Sequence, residues 1–309
     1  MTETSEFGVG KREGHDSSKF YNRKLYEDLK LPKPTKEDLK ENSVPKEYLD
    51  QIVVGDAREV LKDFPDRCIH LMVTSPPYNV GKEYDENLSL GEYLDFIEEV
   101  MREVYRVLVW GGRVCFNVAD LGRKPYIPLH AYLIERFEKI GFLMRGIVIW
   151  YKGDAVAGNS CAWGSFKSAT NPVLRDVHEY ILVLSKGSLK RERGNKQDDI
   201  TKEEFLEWTK SVWKIQPESA KRVGHPAPFP VELPYRCIKL YSFRGDVVLD
   251  PFIGSGTTAI ACLMTGRHFV GIDINPDYVK LAKNRIKEFT AQRSLNDFSV
   301  QALLLKNTT

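Results

Sequence analysis

Two short stretches of this sequence carry groups able to do chemistry. The first is Ser75-Pro76-Pro77-Tyr78, which ends the apolar run Cys68-Ile69-His70-Leu71-Met72-Val73-Thr74. A buried strand that meets two consecutive prolines must leave its ladder there, because neither proline donates a backbone hydrogen bond and each fixes its own φ. The loop is therefore stiff. It holds up one hydroxyl (Ser75), carbonyls with no N–H on the next residue, and one aromatic face (Tyr78), a set that suits a planar base bearing an exocyclic amine. The second stretch is Asp250-Pro251-Phe252-Ile253-Gly254-Ser255-Gly256-Thr257-Thr258, which follows the strand Val247-Val248-Leu249. A strand delivering an acid, then Gly-x-Gly, then a helix is a nucleotide-binding turn in which glycines let the backbone approach a ligand closely. No Gly-Lys-Ser/Thr follows, which argues against a phosphate-cradling NTPase loop, and the spacing departs from G-x-G-x-x-G. Asp273 ends the next predicted strand, about 20 residues on, where dinucleotide folds place a ribose-binding acid; a helix-capping acid is the plainer alternative.

The elements that must position these groups alternate. Ile52-Val53-Val54-Gly55-Asp56 reads as a short strand and turn, Ala57 to Phe64 as a helix, and Cys68 to Thr74 as a strand. Ser89-x-x-Glu92 is a capping-box match. Leu90, Leu94, Ile97, Met101, Val104 and Leu108 then recur at helical spacing, and Gly111-Gly112 is expected to end that helix before a strand from Arg113 to Val118. Leu129 to Ile140 predicts a helix, and Arg145 to Tyr151 a strand. Between Lys152 and about Gly224 the alternation fails, apart from the apolar strand Tyr180 to Leu184. It resumes with a segment from Pro230 to Ser242, the strand Val247 to Asp250, the helix Thr257 to Thr265 and the strand His268 to Asp273. Asn275 caps a last helix with Pro276 at its first position. Strand-helix alternation of this kind predicts an α/β fold, a doubly wound, mainly parallel sheet.

Composition bounds the rest. The chain has 309 residues, is 42% hydrophobic and carries a net charge of +2, enough for a large core and too neutral to announce a nucleic-acid partner by charge alone. No run approaches the ~18 apolar residues of a membrane span, and the polar start is not a signal peptide, so a cytoplasmic protein without membrane partners is expected. Five scattered cysteines without C-x-x-C spacing indicate neither a disulfide framework nor a metal site. Residues 1–45 mix both charges with several glycines and prolines and read as an arm, in which Phe20 to Tyr26 offers an aromatic-basic docking stretch. Lys186, Lys190, Arg191, Arg193 and Lys196 cluster, and Lys210, Lys214, Lys221 and Arg222 follow. Such runs are ordinarily solvated; beside the motifs they read as a phosphate-contacting face.

The two chemical stretches together resemble the S-adenosylmethionine-dependent DNA amino-methyltransferases. Ile149-Trp150-Tyr151-Lys152, His178-Glu179-Tyr180 to Lys186, Val212-Trp213, His225-Pro226-Ala227-Pro228-Phe229-Pro230 and Gly266-Arg267-x-x-Val270-Gly271-Ile272-Asp273 match the same pattern in order, from about residue 51 to 288. The catalytic loop precedes the glycine turn, as in the permuted beta class. The resemblance implies a Rossmann-like methyltransferase sheet with an inserted target-recognition region. Its parts would be a charged arm (1–45), a catalytic half (46–151), the insertion (152–224), a cofactor-binding half (225–290) and a C-terminal tail (291–309). It implies S-adenosylmethionine held by Asp250, Pro251, Phe252, Gly254, Ser255, Gly256 and Thr257, by Asp273 at the ribose, by Asp56 near the adenine amine and by Phe229 beside the methionine. No metal is implied.

Ser75, Pro76, Pro77 and Tyr78 would be catalytic. The amine would donate hydrogen bonds to Ser75 and to a carbonyl of the Ser75-Pro76 segment, and methyl transfer would be direct. Tyr78 would stack on a base flipped out of double-stranded DNA, where an amine is otherwise unreachable. Serine at position 75 accompanies cytosine N4 methylation in this family, with adenine N6 open as the alternative and an RNA or protein amide methyltransferase as the rival class. Carbon-5 methylation is excluded, since it needs a cysteine after a proline and none of the five follows one. A prokaryotic, nucleoid-associated restriction-modification setting follows from the resemblance, with a cognate endonuclease and a homodimer as candidate partners. Trp150 and Lys152 are candidates for the base pocket, although a strand-end Trp is more often core, and His178 reads as structural.

Overall fold

The computed structural model describes residues 2–3, 15–16, 21–26, 31–78, 88–122, 125–153, 164–218 and 229–306, with side-chain detail between Tyr21 and Gln292. Phe20, Cys161, Lys221, Arg222 and the stretch His225 to Pro228 lie outside the described residues. The chain divides into two units, Met1–Pro34 and Thr35–Thr309. In the first, β1 (Thr2–Glu3) and β2 (His15–Asp16) pair in parallel, and Tyr21 meets Tyr26 edge to face with ring centroids 5.1 Å apart.

The second unit is built on an eight-stranded sheet. Its strands are β3 (Gln51–Val54), β4 (Ile69–Thr74), β5 (Leu108–Val118), β6 (Phe142–Tyr151), β7 (His178–Lys186), β8 (Val212–Lys214), β9 (Val247–Asp250) and β10 (His268–Asp273). They lie in the order β3-β10-β9-β4-β5-β7-β6-β8. Of these eight, only β7 runs against the others, pairing antiparallel with β5 and β6. The helices are α1 (Ala57–Val60), α2 (Leu90–Val107), α3 (Leu129–Ile140), α4 (Lys202–Trp208), α5 (Glu232–Tyr241), α6 (Thr257–Thr265) and α7 (Pro276–Lys306). The mainly parallel α/β sheet expected from the alternation is present.

Period-2 alternation along the strands feeds two cores. Met72, Val114, Phe116, Leu182 and Leu249 face one side with Ile97, Met101 and Val104 of α2 and Leu133 and Phe137 of α3. Leu71, Val73, Cys115, Ile181 and Val248 face the other with Leu233 and Ile238 of α5, Ala259 and Cys262 of α6 and Val279 of α7. Phe116 and Phe137 meet edge to face at 5.1 Å, an arrangement worth about 0.5–1.5 kcal/mol beyond burial.

The ends of α2 and β5 depart from expectation. The helix stops at Val107, and β5 runs straight through Gly111-Gly112 to Val118. The glycines form a bulge instead of a helix stop: two steps along β4, from Ile69 to Leu71, face five along β5, from Leu108 to Arg113. Gly111 adopts φ +74° there, packed against the backbone of Lys190, where a side chain would not fit.

The insertion is also used differently from its charge. Its apolar strand, β7, lies inside the main sheet, and β8 forms an edge. Lys186 is buried and donates to the carbonyls of Arg106 and Leu108, at 3.0 and 2.8 Å. Arg191 pairs with the buried Asp246, and Lys196 with Glu41. These three cations therefore serve the fold and not a phosphate-contacting face, because helix-end carbonyls and a buried carboxylate need donors. Glu41 belongs to a segment, from Thr35 onward, that packs with the body and buries Val44.

Candidate active site

The carboxyl ends of adjacent parallel strands gather the chemical groups along one edge. Asp273 pairs in register with Val54, Gly271 with Asp250, Met72 with Leu249 and Thr74 with Phe116. Asp56, Asp273, Asp250, Ser75 and Asn117 thus leave or end five neighbouring strands at the edge where open α/β sheets bind ligands.

Asp250 lies beneath the glycine turn as a strut. Its Oδ1 accepts from Thr74 Oγ1 at 2.5 Å and from the Phe252 N–H at 3.1 Å, and its Oδ2 accepts from Thr258 Oγ1 at 2.6 Å. Burial drives its pKa up to about 6, against the opposing pull of the Thr258 and Thr74 hydroxyls and the Phe252 N–H. Asp273 holds the turn from the next strand: the Gly254 N–H donates to Oδ2 and the Asn275 N–H to Oδ1, both at 2.9 Å. Burial raises its pKa while those two N–H groups act the other way. Asn275 in turn accepts from the Asp277 N–H at 2.9 Å, the predicted N-cap of α7.

These residues fit a nucleoside ligand such as S-adenosylmethionine. Among the described residues each Asp273 oxygen accepts a single N–H, which leaves lone pairs that suit a ribose diol. Gly256 sits at φ +81°, and a Cβ there would lie 2.9 Å from Ala282 Cβ, so the turn packs this closely on α7 only as glycine. Pro251, Ser255 and Thr257 are buried in the turn, and the Ser255 carbonyl accepts from Arg285. Phe252 is half-buried and meets Phe96 of α2 at 5.9 Å. Asp56 caps α1, accepting from the Arg58 N–H at 2.8 Å, and forms a bidentate pair with the Arg58 guanidinium. Phe229 packs against the core beside α5, on the opposite side of the sheet from Phe252.

The Ser75–Tyr78 loop carries a connected polar cluster. Ser75 Oγ lies 3.0 Å from the Tyr78 hydroxyl, which donates to Glu179 Oε2 at 3.1 Å. Asn117 Nδ2 is within 2.6 Å of Glu179 Oε2, 3.1 Å of the Tyr78 hydroxyl and 3.3 Å of Ser75 Oγ. Lys152 pairs with Glu179 Oε1. Burial pushes the Tyr78 phenol well above its ordinary range, with the Glu179 charge adding to the effect. Asn117 Oδ1 is buried without a partner among the described residues. Pro76 is buried and Pro77 half-buried.

Sequence reasoning named Ser75, Tyr78 and Lys152 here but missed Asn117 and Glu179 as site residues. Each left a signal, a single amide inside the buried run Val114 to Val118 and a carboxylate opening the apolar run of β7. Trp150 is core, its indole donating to the Ile215 carbonyl at 2.8 Å. His178 meets Tyr180 edge to face and makes no contact with this cluster among the described interactions.

A family model described as DNA methylase, for N6 and N4 methylation, matches residues 69–284. Type II methyltransferase M.MjaI of Methanocaldococcus jannaschii is 32% identical over 297 residues, spanning 81% of this chain and 95% of that protein. M.ScaI of Streptomyces caespitosus is 34% identical, spanning 75% of this chain and 80% of its own. Among solved structures, a DNA modification methylase of Thermus thermophilus, TTHA0409, complexed with S-adenosyl-L-methionine, superposes with a TM-score of 0.63 at 35% identity, over 77% of this chain and 93% of that one. The PvuII cytosine-N4-specific DNA methyltransferase shares the fold, with a TM-score of 0.63 at 20% identity over 85% and 93% of the two chains. With the strand-edge site, the Ser-Pro-Pro-Tyr loop and these matches in agreement, the chain belongs to the N6/N4 DNA methylase family.

Proposed function

We propose that this DNA methyltransferase transfers a methyl group to the exocyclic N4 amine of a cytosine flipped out of double-stranded DNA, in the modification arm of a restriction-modification system. S-adenosylmethionine is the methyl donor, and when bound it supplies an electrophilic methyl group on a sulfonium. Asp273 and the Gly254-Ser255-Gly256 turn hold its ribose and methionine parts in this reading, with Asp250, Pro251, Phe252 and Thr257 shaping the turn. Asp56 and Phe229 complete its surroundings.

The observation that carries the reading is Ser75 directly after β4, because the Ser-Pro-Pro-Tyr form of this loop accompanies cytosine N4 methylation in the family the chain resembles. The Ser75 oxygen and a carbonyl of the Ser75-Pro76 segment accept the two amine protons, freeing the nitrogen lone pair for in-line attack. Orientation of this kind can contribute about 7–11 kcal/mol to the barrier. The Tyr78 ring, pinned through its hydroxyl, gives the flipped base a face to stack on. Target recognition falls to the parts of residues 152–224 outside the sheet. Adenine N6 is the alternative acceptor, because both bases present an amine beside a ring nitrogen.

The test is methylation of unmodified genomic DNA by the purified protein, followed by nucleoside mass spectrometry. N4-methylcytosine is the expected product. N6-methyladenine would keep the fold and loop chemistry and overturn the acceptor, and methyl transfer to RNA or protein alone would overturn the DNA reading.

A further inference from the structure

We infer that Glu179 is the terminal proton acceptor of the methyl-transfer reaction, reached from the amine through Ser75 and Tyr78. The inference rests on the amine-methylation reading but not on which base carries the amine.

The polarity of the cluster leads to it. The Tyr78 hydroxyl has one proton, and it points at Glu179 Oε2, 3.1 Å away. The 3.0 Å contact between Ser75 and Tyr78 must then be filled by the Ser75 proton. Asn117, whose Nδ2 can only donate, directs its protons at the same three oxygens. The hydroxyl donors run toward Glu179, and Ser75 Oγ is left as an acceptor toward the substrate. Asn117 is 2% and Glu179 8% exposed, so bulk water does not replace this route easily.

The step balances. As the amine nitrogen bonds the methyl carbon, the sulfonium S–CH3 bond breaks with its electron pair going to sulfur, and the nitrogen becomes cationic. One N–H proton passes to Ser75 Oγ, the Ser75 proton to the Tyr78 oxygen and the Tyr78 proton to Glu179 Oε2. Both hydroxyls are regenerated, and the net change is one proton on Glu179, later released to solvent. Lys152, with about a fifth of its side chain exposed, is the neighbour through which the carboxylate faces outward. Among the described residues, the charged and titratable groups around Glu179 are Lys152 just past the end of β6, Tyr78 from the loop, Tyr93 of α2 behind Tyr78, and His178 on its own strand.

The test compares wild type, E179Q, E179D and Y78F as full-length proteins. Single-turnover methylation of unmethylated plasmid DNA is followed across pH with saturating S-adenosylmethionine. The expected result is an acid-side limb of slope one in wild type. E179Q and Y78F should be at least tenfold slower and lack that limb, E179D should restore part of both, and S-adenosylmethionine affinity should stay within about threefold. A purely structural role would lower the rate without removing the limb. Infrared difference spectra of the cofactor-free protein supply a readout independent of turnover: acidification should produce a protonated-carboxyl band in wild type that is missing from E179Q. If E179Q fails to fold, Y78F carries the kinetic arm. Wild-type rate and limb in either folded glutamine or phenylalanine variant, or an infrared band unchanged in E179Q, overturns the inference. Product analysis of the wild-type reaction separates these outcomes from failure of the cytosine or DNA readings.

Discussion

Thr74 and Asp250, 176 residues apart in sequence, share a 2.5 Å hydrogen bond beneath the two motifs that must act together. Thr74 is the last residue before the Ser75–Tyr78 loop and Asp250 the first of the glycine turn, so the bond ties the two segments together, the loop proposed to hold the amine and the turn proposed to hold the methyl donor. Replacing Thr74 with valine keeps the shape and removes the donor, leaving Asp250 Oδ1 with the Phe252 N–H alone. The expected loss is about 1–3 kcal/mol, the cost of an under-satisfied buried acceptor. It is measured as a lowered urea midpoint, together with slower methyl transfer; an unchanged midpoint would show that the strut does not hold.

The same carboxyl makes stability depend on pH. Its pKa in the folded protein is about 6, above its ordinary 3.8, because burial penalises the charged form. The folded state therefore holds the proton more tightly than the unfolded chain. Below about pH 4 both states are protonated and the group is neutral to stability; as pH rises from about 4 to 6 stability falls, and above about 6 the full penalty of about 2–3 kcal/mol is present. D250N removes this dependence. Urea unfolding of D250N against wild type at about pH 4 and 7.5 should move in favour of the variant by about 2 kcal/mol as pH rises.

Ser75 should matter to chemistry and not to cofactor affinity. S75A removes the oxygen proposed to accept from the amine while the prolines hold the loop. The rate of the chemical step should fall by about 10²–10³-fold, as when one preorganised partner of a reacting group is lost. Calorimetry should find S-adenosylmethionine binding unchanged within about threefold. A variant that binds the cofactor poorly would move Ser75 from the chemistry to the architecture.

Asp273 should show the opposite pattern. In D273N the amide can keep one of the two N–H bonds that hold the turn, but it loses the charge and an acceptor for the ribose diol. The expected cost in binding is about 1–3 kcal/mol, or about 5- to 150-fold in Kd. The rate at saturating cofactor should change far less.

The sheet was legible because its strands are apolar runs broken by strong punctuation. Val247–Asp250, Thr257–Thr265, His268–Asp273 and the Asn275-Pro276 cap stand where the pattern places them. The Gly111-Gly112 pair misled because glycines stop a helix and bulge a strand equally well, and only the partner strand decides. Lys186, Arg191 and Lys196 of the basic cluster misled because a charge in sequence does not say whether it will face water or a partner in the fold. Arg191 finds Asp246 only through tertiary contact, 55 residues away. Asn117 and Glu179 were hidden for the same reason. A lone amide in a strand has many structural uses, and its meaning lies in Tyr78 and Ser75, which the fold brings to it from another strand.

Gly256 offers a way to separate backbone strain from steric exclusion in the cofactor turn. Gly256 and Gly245 have nearly the same φ, +81° and +78°, so alanine at either meets the same left-handed penalty, about 1–2 kcal/mol. Their surroundings differ. A Cβ at Gly245 meets nothing within 4 Å, whereas one at Gly256 would lie 2.9 Å from Ala282 Cβ and 3.2 Å from its Cα, on a helix that cannot retreat without disturbing Val279 in the core. G245A should therefore lose the strain term alone and leave cofactor affinity unchanged. G256A should lose more stability, by about 1–3 kcal/mol of overpacking, and should also weaken S-adenosylmethionine binding, since the turn and α7 must move apart. Equal losses in the two variants, with binding intact in both, would mean that glycine at position 256 serves the turn's conformation and nothing beyond it.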